Sequence, residues 1–348
     1  MTGTPHFPFP SAPPLGEATT VAPGIAWIRM PLPFKLDHIN LWLLQDGDGW
    51  TLVDTGINRP DVMEAWGRVF AGPMAGRPVN RVIVTHFHPD HMGLAGWHAE
   101  RAKCDLWATA LEVAAARRLL ADDADTFVPR LLAFYRQAGF DREMLEHVST
   151  RGNMYRASVT PLPDNVEMLR DGDRFSVGGR SWRVVVGSGH SPEHACLYCE
   201  ELGVLISGDQ VLPGITPNVS VNPYAPDADP LGDFLQSLGR LRSVPDSVLV
   251  LPSHKLPFRG LHARIDAMIE HHRERLAETR SACVNGATGV EILRHLFRRP
   301  LDPHQIFFAI GESLAHVHRL MAEGHVQRAT NADGVHIYRT VNPTGASQ

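Results

Sequence analysis

Residues 81–85, Arg-Val-Ile-Val-Thr, read as a short buried strand, and the chain leaves it directly into His86-Phe-His88-Pro-Asp90-His91. Three imidazoles and a carboxylate within so short a span are ligand types that zinc and other borderline cations take. A lone histidine is most simply a satisfied structural residue; this cluster, at a strand end where loops carry chemistry, is read as metal-binding. One metal takes about four ligands, so the rest of a site must come from later strand ends. Three places qualify. His190 follows the strand-like run 182–186 in Gly187-Ser-Gly-His-Ser-Pro-Glu-His194, Asp209 follows 204–207, and His254 follows 248–251.

The rest of the chain shows how such strand ends are supplied. Residues 24–54 alternate apolar runs with turns and predict an antiparallel meander. A helix is expected from residue 61. From 106 to about 148 the spacing of Leu111, Ala115, Leu119, Leu131, Leu132 and Tyr135 predicts helices that form a cap. A second strand group follows over 166–207, then a helix over 231–241, a strand over 248–251 and a long helix over 261–282. The two strand-rich halves predict a two-sheet sandwich. Residues 288–341 change character, with short helices near 290–297, 304–308 and 312–323 and two strands around 327–338, a winged-helix pattern. The expected division is a loose arm over 1–20, a main domain carrying the histidine cluster over 21–283 with its insert at about 106–160, and a small winged-helix-like domain over 284–348.

Composition narrows the function classes. The chain has 348 residues, a formal charge of −5, 20% charged and 43% apolar residues, which is ordinary for a globular protein and unfavourable to a duplex-binding surface. The helix over 312–323 carries Arg319 as its one permanent cation beside His316 and His318, so packing or dimerisation is favoured over DNA. Residues 1–16 are Pro-rich without the basic flank and apolar stretch of a secretory signal, and no run approaches the length that spans a bilayer; the cytoplasm is the expected compartment. Cys196 and Cys199 form a C-x-x-C in a strand-like setting, where residues three apart face opposite sides, so a structural role is expected. The pair His271-His272 reads as solvated.

In this order the motifs, His86-x-His88-x-Asp90-His91, then Gly189-His190-Ser-Pro-x-His194, then Gly208-Asp209, then His254, resemble the metallo-β-lactamase superfamily over about residues 22–282. The resemblance implies an α/β fold, an αβ/βα four-layer sandwich with the metals at one edge. It implies two divalent ions: His86, His88 and His190 on the first, Asp90, His91 and His254 on the second, and Asp209 between them. Asp54, in Val-Asp54-Thr-Gly, matches a position where the family has a supporting Asp, a carboxylate that accepts a ligand histidine N–H; His194 is expected outside the ligand set. Zinc is the expected metal, with iron or manganese also suited to mixed His and carboxylate ligands.

Two cations sharing a water would bring its pKa towards neutrality and let it attack an ester-like carbonyl, with Asp90 or a metal-bound water serving proton transfer. The metal site alone does not choose among thioester, lactone, β-lactam, phosphodiester and sulfur substrates. Arg117, Arg118, Arg130 and Arg136 with Phe127, Phe134 and Tyr135 in the helical insert suit an anionic coenzyme A or glutathione thioester, or are solvated helix cations. Tyr224, Lys255 and Arg259 are further candidates for substrate contact. The long insert and the tail resemble the glyoxalase II-like branch. A lactonase, a metal-dependent nuclease, which would need a basic groove, and a non-catalytic module that kept the fold remain rivals.

Overall fold

The computed structural model describes residues 5–341, with the side chains of 151, 303 and 304 left aside. By their contacts these residues form two units. The first takes in the chain up to Ala121, Met154–Pro217 and Leu238–Ile265; the second takes in Asp122–Asn153, Asn218–Ser237 and the chain from Asp266.

The first unit holds two sheets. One has seven strands in sequence order: β1 (Thr19–Ala22), β2 (Ile25–Pro31), β3 (His38–Asp46), β4 (Gly49–Val53), β5 (Val79–Ile83), β6 (Asp105–Thr109) and β7 (Glu167–Leu169). The first four are antiparallel, as the meander predicted, and β4 to β7 run parallel. The other sheet has the order β12-β11-β10-β9-β8, from β8 (Arg174–Val177), β9 (Arg180–Gly187), β10 (His194–Cys199), β11 (Val204–Gly208) and β12 (Leu249–Pro252). Only β11 and β12 are parallel in it.

The period of two in the strands sorts their side chains between two cores. On one face of the seven-stranded sheet Ile28, Met30, Leu41, Leu43, Leu52 and Val82 pack with Val62, Trp66 and Val69 of helix Pro60–Ala71 and with Ala95 and Ala99 of helix Ala95–Ala102. On the other face Ile25, Trp27, Trp42, Leu44, Val53 and Ile83 meet Trp182, Val184, Leu197, Val204, Ile206 and Leu251 of the second sheet. Trp27 and Trp42 stack at 6.1 Å in the middle of that layer. The two-sheet sandwich is therefore as expected. Cys199 joins the layer between the sheets while Cys196 does not, and both are free and buried, which agrees with the strand reading of the C-x-x-C.

Four local expectations are corrected. The run from Leu106 is a strand through Thr109, and the helix begins at Ala110, because a short apolar run fits a buried parallel strand as well as a helix. β7 belongs to the first sheet, not to the second strand group: strand order in the chain does not say which sheet a strand joins. The described part of the N-terminal arm is tied down, with His6 and Arg259 exchanging backbone hydrogen bonds of 3.0 and 2.8 Å and Phe9 edge-on to Trp27 at 6.3 Å; residues 1–4 of that arm lie outside the described residues. His272 is buried, with its Nδ1 3.1 Å from His316 Nε2.

The second unit contains helices Ala124–Gln137, Arg142–Arg151, Gly289–Leu296 and Pro303–Ala322 and the hairpin of Val326–Thr330 with His336–Thr340. Pro303–Ala322 is one helix where two were expected; Asp302 and Gln305 form a capping box at its start, and it runs on through Gly311. Arg319 is committed to Asp229 at 3.2 Å and Glu323 at 2.9 Å. Residues 342–348 of the expected C-terminal domain lie outside the described residues. No helix among the described residues is long and apolar enough to cross a membrane.

Two glycines test the packing of the first unit. A Cβ on Gly96 would stand 1.8 Å from the Pro161 carbonyl oxygen, whereas Gly67, on the exposed side of helix Pro60–Ala71, has nothing within 4 Å. In urea unfolding, Gly96→Ala is expected to lower stability by roughly 2–3 kcal/mol through overpacking. Gly67→Ala is expected to raise it by about 0.5–1 kcal/mol through helix propensity.

Candidate metal centre

The site is built at strand ends of both sheets. β5 ends at Ile83, and the following residues carry Thr85, His86 and His88 into a loop that turns into the short helix Pro89–Met92 with Asp90 and His91. β9 runs out to Gly187 and its loop holds His190; β11 ends at Gly208, next to Asp209; β12 ends at Pro252, two residues before His254. Pleated strands that stop at one edge deliver all these side chains to the same place.

The structure brings together every ligand expected from the sequence. His86 Nε2 lies 2.9 Å from His88 Nδ1, His88 Nδ1 lies 3.0 Å from His190 Nε2, and the third side, His190 to His86, is 3.1 Å. Nitrogens about 2.0–2.1 Å from a tetrahedral zinc stand roughly 3.4 Å apart, so this triangle is slightly tighter than a ligand face. Asp90 Oδ2 is 3.6 Å from His91 Nε2 and 3.5 Å from His254 Nε2. Asp209 lies between the two groups, its Oδ2 3.5 Å from His190 and 3.6 Å from His91 and its Oδ1 3.4 Å from His254. Three sets, His86/His88/His190, His86/His91/Asp209 and Asp90/His91/His254, have ligand atoms close enough to share an ion.

Outer partners decide which nitrogens face inward. Asp54 Oδ2 accepts from His91 Nδ1 at 2.8 Å, leaving the Nε2 lone pair towards the site. Thr85 donates to Asp54 with its backbone N–H at 2.8 Å and with its hydroxyl at 2.9 Å. That hydroxyl proton is thus used, so Thr85 Oγ1, 3.0 Å from His86 Nδ1, must accept from it, and His86 too presents a bare Nε2. His254 Nδ1 donates to the His38 carbonyl at 2.8 Å, which turns its Nε2 towards Asp90 and Asp209. His194 stands outside the ligand set: its Nε2 accepts the Asp209 N–H at 3.0 Å. A Cβ on Gly208, whose φ is +51°, would lie 2.4 Å from that ring, so only glycine lets His194 hold Asp209 this way.

Convergent lone pairs repel, and carboxylates out of water are costly unless answered by positive charge. Burial and the neighbouring His190 bring His88 down to about 3, against the pull of Asp90; burial and the surrounding imidazoles likewise hold His86 well below its usual value. These are neutral, ligand-ready rings. On the other side burial would lower His254, but Asp209 and Asp90 overcome it and bring the ring to about 10. The ion pairs described for Asp90 and Asp209 are with histidines. His91 Nε2 and Asp209 Oδ1 are buried without a hydrogen-bond partner. Buried neutral imidazoles at His86 and His88, two carboxylates whose described ion-pair partners are imidazoles, and orphaned atoms at one point fit a divalent cation.

The expected substrate contacts are more scattered. Lys255 is exposed beside His254 in a left-handed conformation, φ 70°, its N–H donating to His38 Nε2 at 3.1 Å. Arg259 is exposed and its guanidinium donates to the Ser247 carbonyl. Tyr224 and Tyr135 belong to the second unit. There the Tyr224 hydroxyl bonds Asp122, which also takes Arg130 at 2.6 Å, and Arg130 stacks over the Tyr224 ring at 4.6 Å. Tyr135 is 8% exposed and packs against Phe134, Phe140 and Phe307, a core position.

Four residues near the site, Thr85, His38, Asn40 and Glu112, lie outside the set expected from the sequence. Thr85 looks from its pattern like the end of a strand, and its place before the first histidine is the signal that it reaches the site. His38, lowered to about 4 chiefly by burial, holds the His254 loop from a distant strand, together with Asn40, whose side chain donates to the carbonyls of Pro252 at 2.9 Å and Lys255 at 2.8 Å. Glu112 is fully buried and accepts from both histidine loops. Burial pushes it up to about 7, against the donors that surround it.

The family model described as the Metallo-beta-lactamase superfamily matches residues 35–254, and that of the Metallo-beta-lactamase-like, C-terminal domain matches residues 276–341. Among solved structures, a beta-lactamase domain protein from Burkholderia ambifaria is 42% identical with a TM-score of 0.90, over 97% of this chain and 98% of that one. A metallo-beta-lactamase family protein from Thermus thermophilus is 30% identical with a TM-score of 0.79, over 92% and 100%. A probable metallo-hydrolase of Bacillus subtilis is 26% identical over 85% of this chain and 92% of its own length. An acyl-coenzyme A thioesterase of Gallus gallus is 28% identical over 66% and 77%. The motifs, the two-sheet fold and these matches agree, and the chain belongs to the metallo-beta-lactamase superfamily.

Proposed function

We propose that the protein is a hydrolase with two divalent cations, zinc by preference, that cleaves a thioester of an anionic carrier such as coenzyme A or glutathione. The observation that carries this reading is the imidazole triangle with sides of 2.9–3.1 Å beside a second group, Asp90, His91 and His254, with Asp209 between them. His86, His88 and His190 would hold one ion, Asp90, His91 and His254 the other, and Asp209 would touch both. When bound, such ions supply Lewis acidity, acidifying water and polarising a carbonyl. The similarity to an acyl-coenzyme A thioesterase supports the choice of bond.

The chain's own residues supply orientation and proton handling. Asp54 and Thr85 fix His91 and His86 in the tautomer that turns Nε2 inward, and the His38 carbonyl does so for His254. Asp90 has a side chain 19% exposed where that of Asp209 is 10%, so it is the carboxylate better placed to take a proton and pass it to a leaving group. Lys255, exposed next to His254, is the cation we assign to the anionic part of the substrate.

Metal content by mass spectrometry, paired with hydrolysis of acyl-CoA and glutathione thioesters, lactones, nitrocefin and bis-p-nitrophenyl phosphate, tests the reading. Two metals per chain with thioester turnover are expected; phosphodiester turnover alone would transfer the protein to the nucleases, and a chain that cannot take up metal would end the hydrolase reading. Asp90→Asn is expected to lower kcat on the order of 100-fold while metal content falls much less. Asp54→Asn, which puts an amide donor opposite donors from Thr85 and His91, is expected to weaken metal binding by about 10- to 100-fold, measured by competition with a chelator.

A further inference from the structure

Helix Ala110–Ala121 starts directly after β6, and its third residue, Glu112, is fully buried. One carboxylate oxygen, Oε1, accepts from Ser191 Oγ at 2.6 Å and from the Glu193 N–H at 2.7 Å; the other, Oε2, accepts from the Phe87 N–H at 2.8 Å. Phe87 lies between His86 and His88, and Ser191 follows His190. One side chain therefore holds both loops that build the imidazole triangle. The same corner is locked once more through Glu193, whose Oε2 accepts from the Leu111 N–H at 2.8 Å and whose carbonyl accepts from Thr109 Oγ1 at 2.6 Å.

A carboxylate taken out of water is retained only where donors answer it, and charge-assisted hydrogen bonds to backbone N–H groups are short and directional. Simple packing between a helix and two loops would be served by an apolar residue. Three donors from two loops instead fix where those loops stand. Apart from Glu112 and the imidazole contacts of the triangle itself, the loops share the backbone bond from Ala195 N to Thr85 O, 2.8 Å, which lies at their base and would survive a change at Glu112.

We propose that Glu112 is a positioning residue of the metal site: by tying the Phe87 and Ser191–Glu193 backbones to one carboxylate it sets the separation of His86 and His88 from His190, and with it the affinity of that trio for its cation. This rests on the reading of the trio as a metal site. Glu112→Gln keeps the volume but sets an amide N–H against one of the donors, and Ser191→Ala removes one bond and leaves two.

The test is a cobalt(II) titration of the metal-free full chain, followed by the visible ligand-field bands, with the urea midpoint measured alongside. Glu112→Gln is expected to bind cobalt on the order of tenfold more weakly, with altered bands, and Ser191→Ala about two- to fivefold more weakly. A folded Glu112→Gln with unaltered affinity and bands overturns the proposal, as does a loss of stability unaccompanied by any change in the cobalt spectrum. If Glu112→Gln does not fold, Ser191→Ala decides, and cobalt binding equal to that of the unaltered chain overturns it. Failure of the unaltered chain itself to bind cobalt would instead remove the metal reading.

Discussion

Asp90 and Asp209 converge with the imidazoles of His91, His190 and His254 at 3.4–3.6 Å, and the arrangement of the whole edge follows from that meeting. Charged and lone-pair-bearing groups out of water oppose folding unless they are paired or share a cation. The surrounding structure holds them in place by rigid means: strand ends rather than long loops, and a ring of partners, Asp54, Thr85, His38, His194 and Glu112, that are themselves buried or hydrogen-bonded. The Trp27, Trp42 and Trp182 layer between the sheets provides apolar burial that such an edge does not.

Much of this was legible in the sequence because the chemistry is local. His86, His88, Asp90 and His91 sit in one short span after an apolar strand, and His190, Asp209 and His254 each follow another, so residue type and strand end together located them. The supporting groups are a different matter. Asp54 was found through a family motif; Glu112, in the first turn of a helix, looks like an ordinary solvated residue favoured there by the helix dipole. Its burial depends on two loops that are 25 and 79 residues away in the chain, and no spacing rule carries that information.

The fold errors have the same origin. The state of residues 106–109, and the sheet that the strand 167–169 joins, are decided by the neighbours they pair with, β5 and β6, and not by their own pattern. His272 looked solvated because a pair of histidines on a helix has no apolar signature, yet His316 meets it from another helix. Even the N-terminal residues, Pro-rich and without periodicity, find backbone partners in Arg259.

The two halves of the candidate site are unlike in charge, and that difference constrains any chemistry there. Burial keeps His86 and His88 neutral in the trio they form with His190, whereas Asp90 and Asp209 concentrate the negative charge beside His91 and His254. A cation on the imidazole side would keep most of its positive charge and remain the stronger Lewis acid. One on the carboxylate side would be more nearly neutralised and would act more as an anchor. Asp209, within 3.6 Å of histidines from both groups, is the group through which one side would feel the loading of the other. Through the Asp209 N–H, His194 and the glycine that makes room for its ring hold the one carboxylate that stands between the two groups.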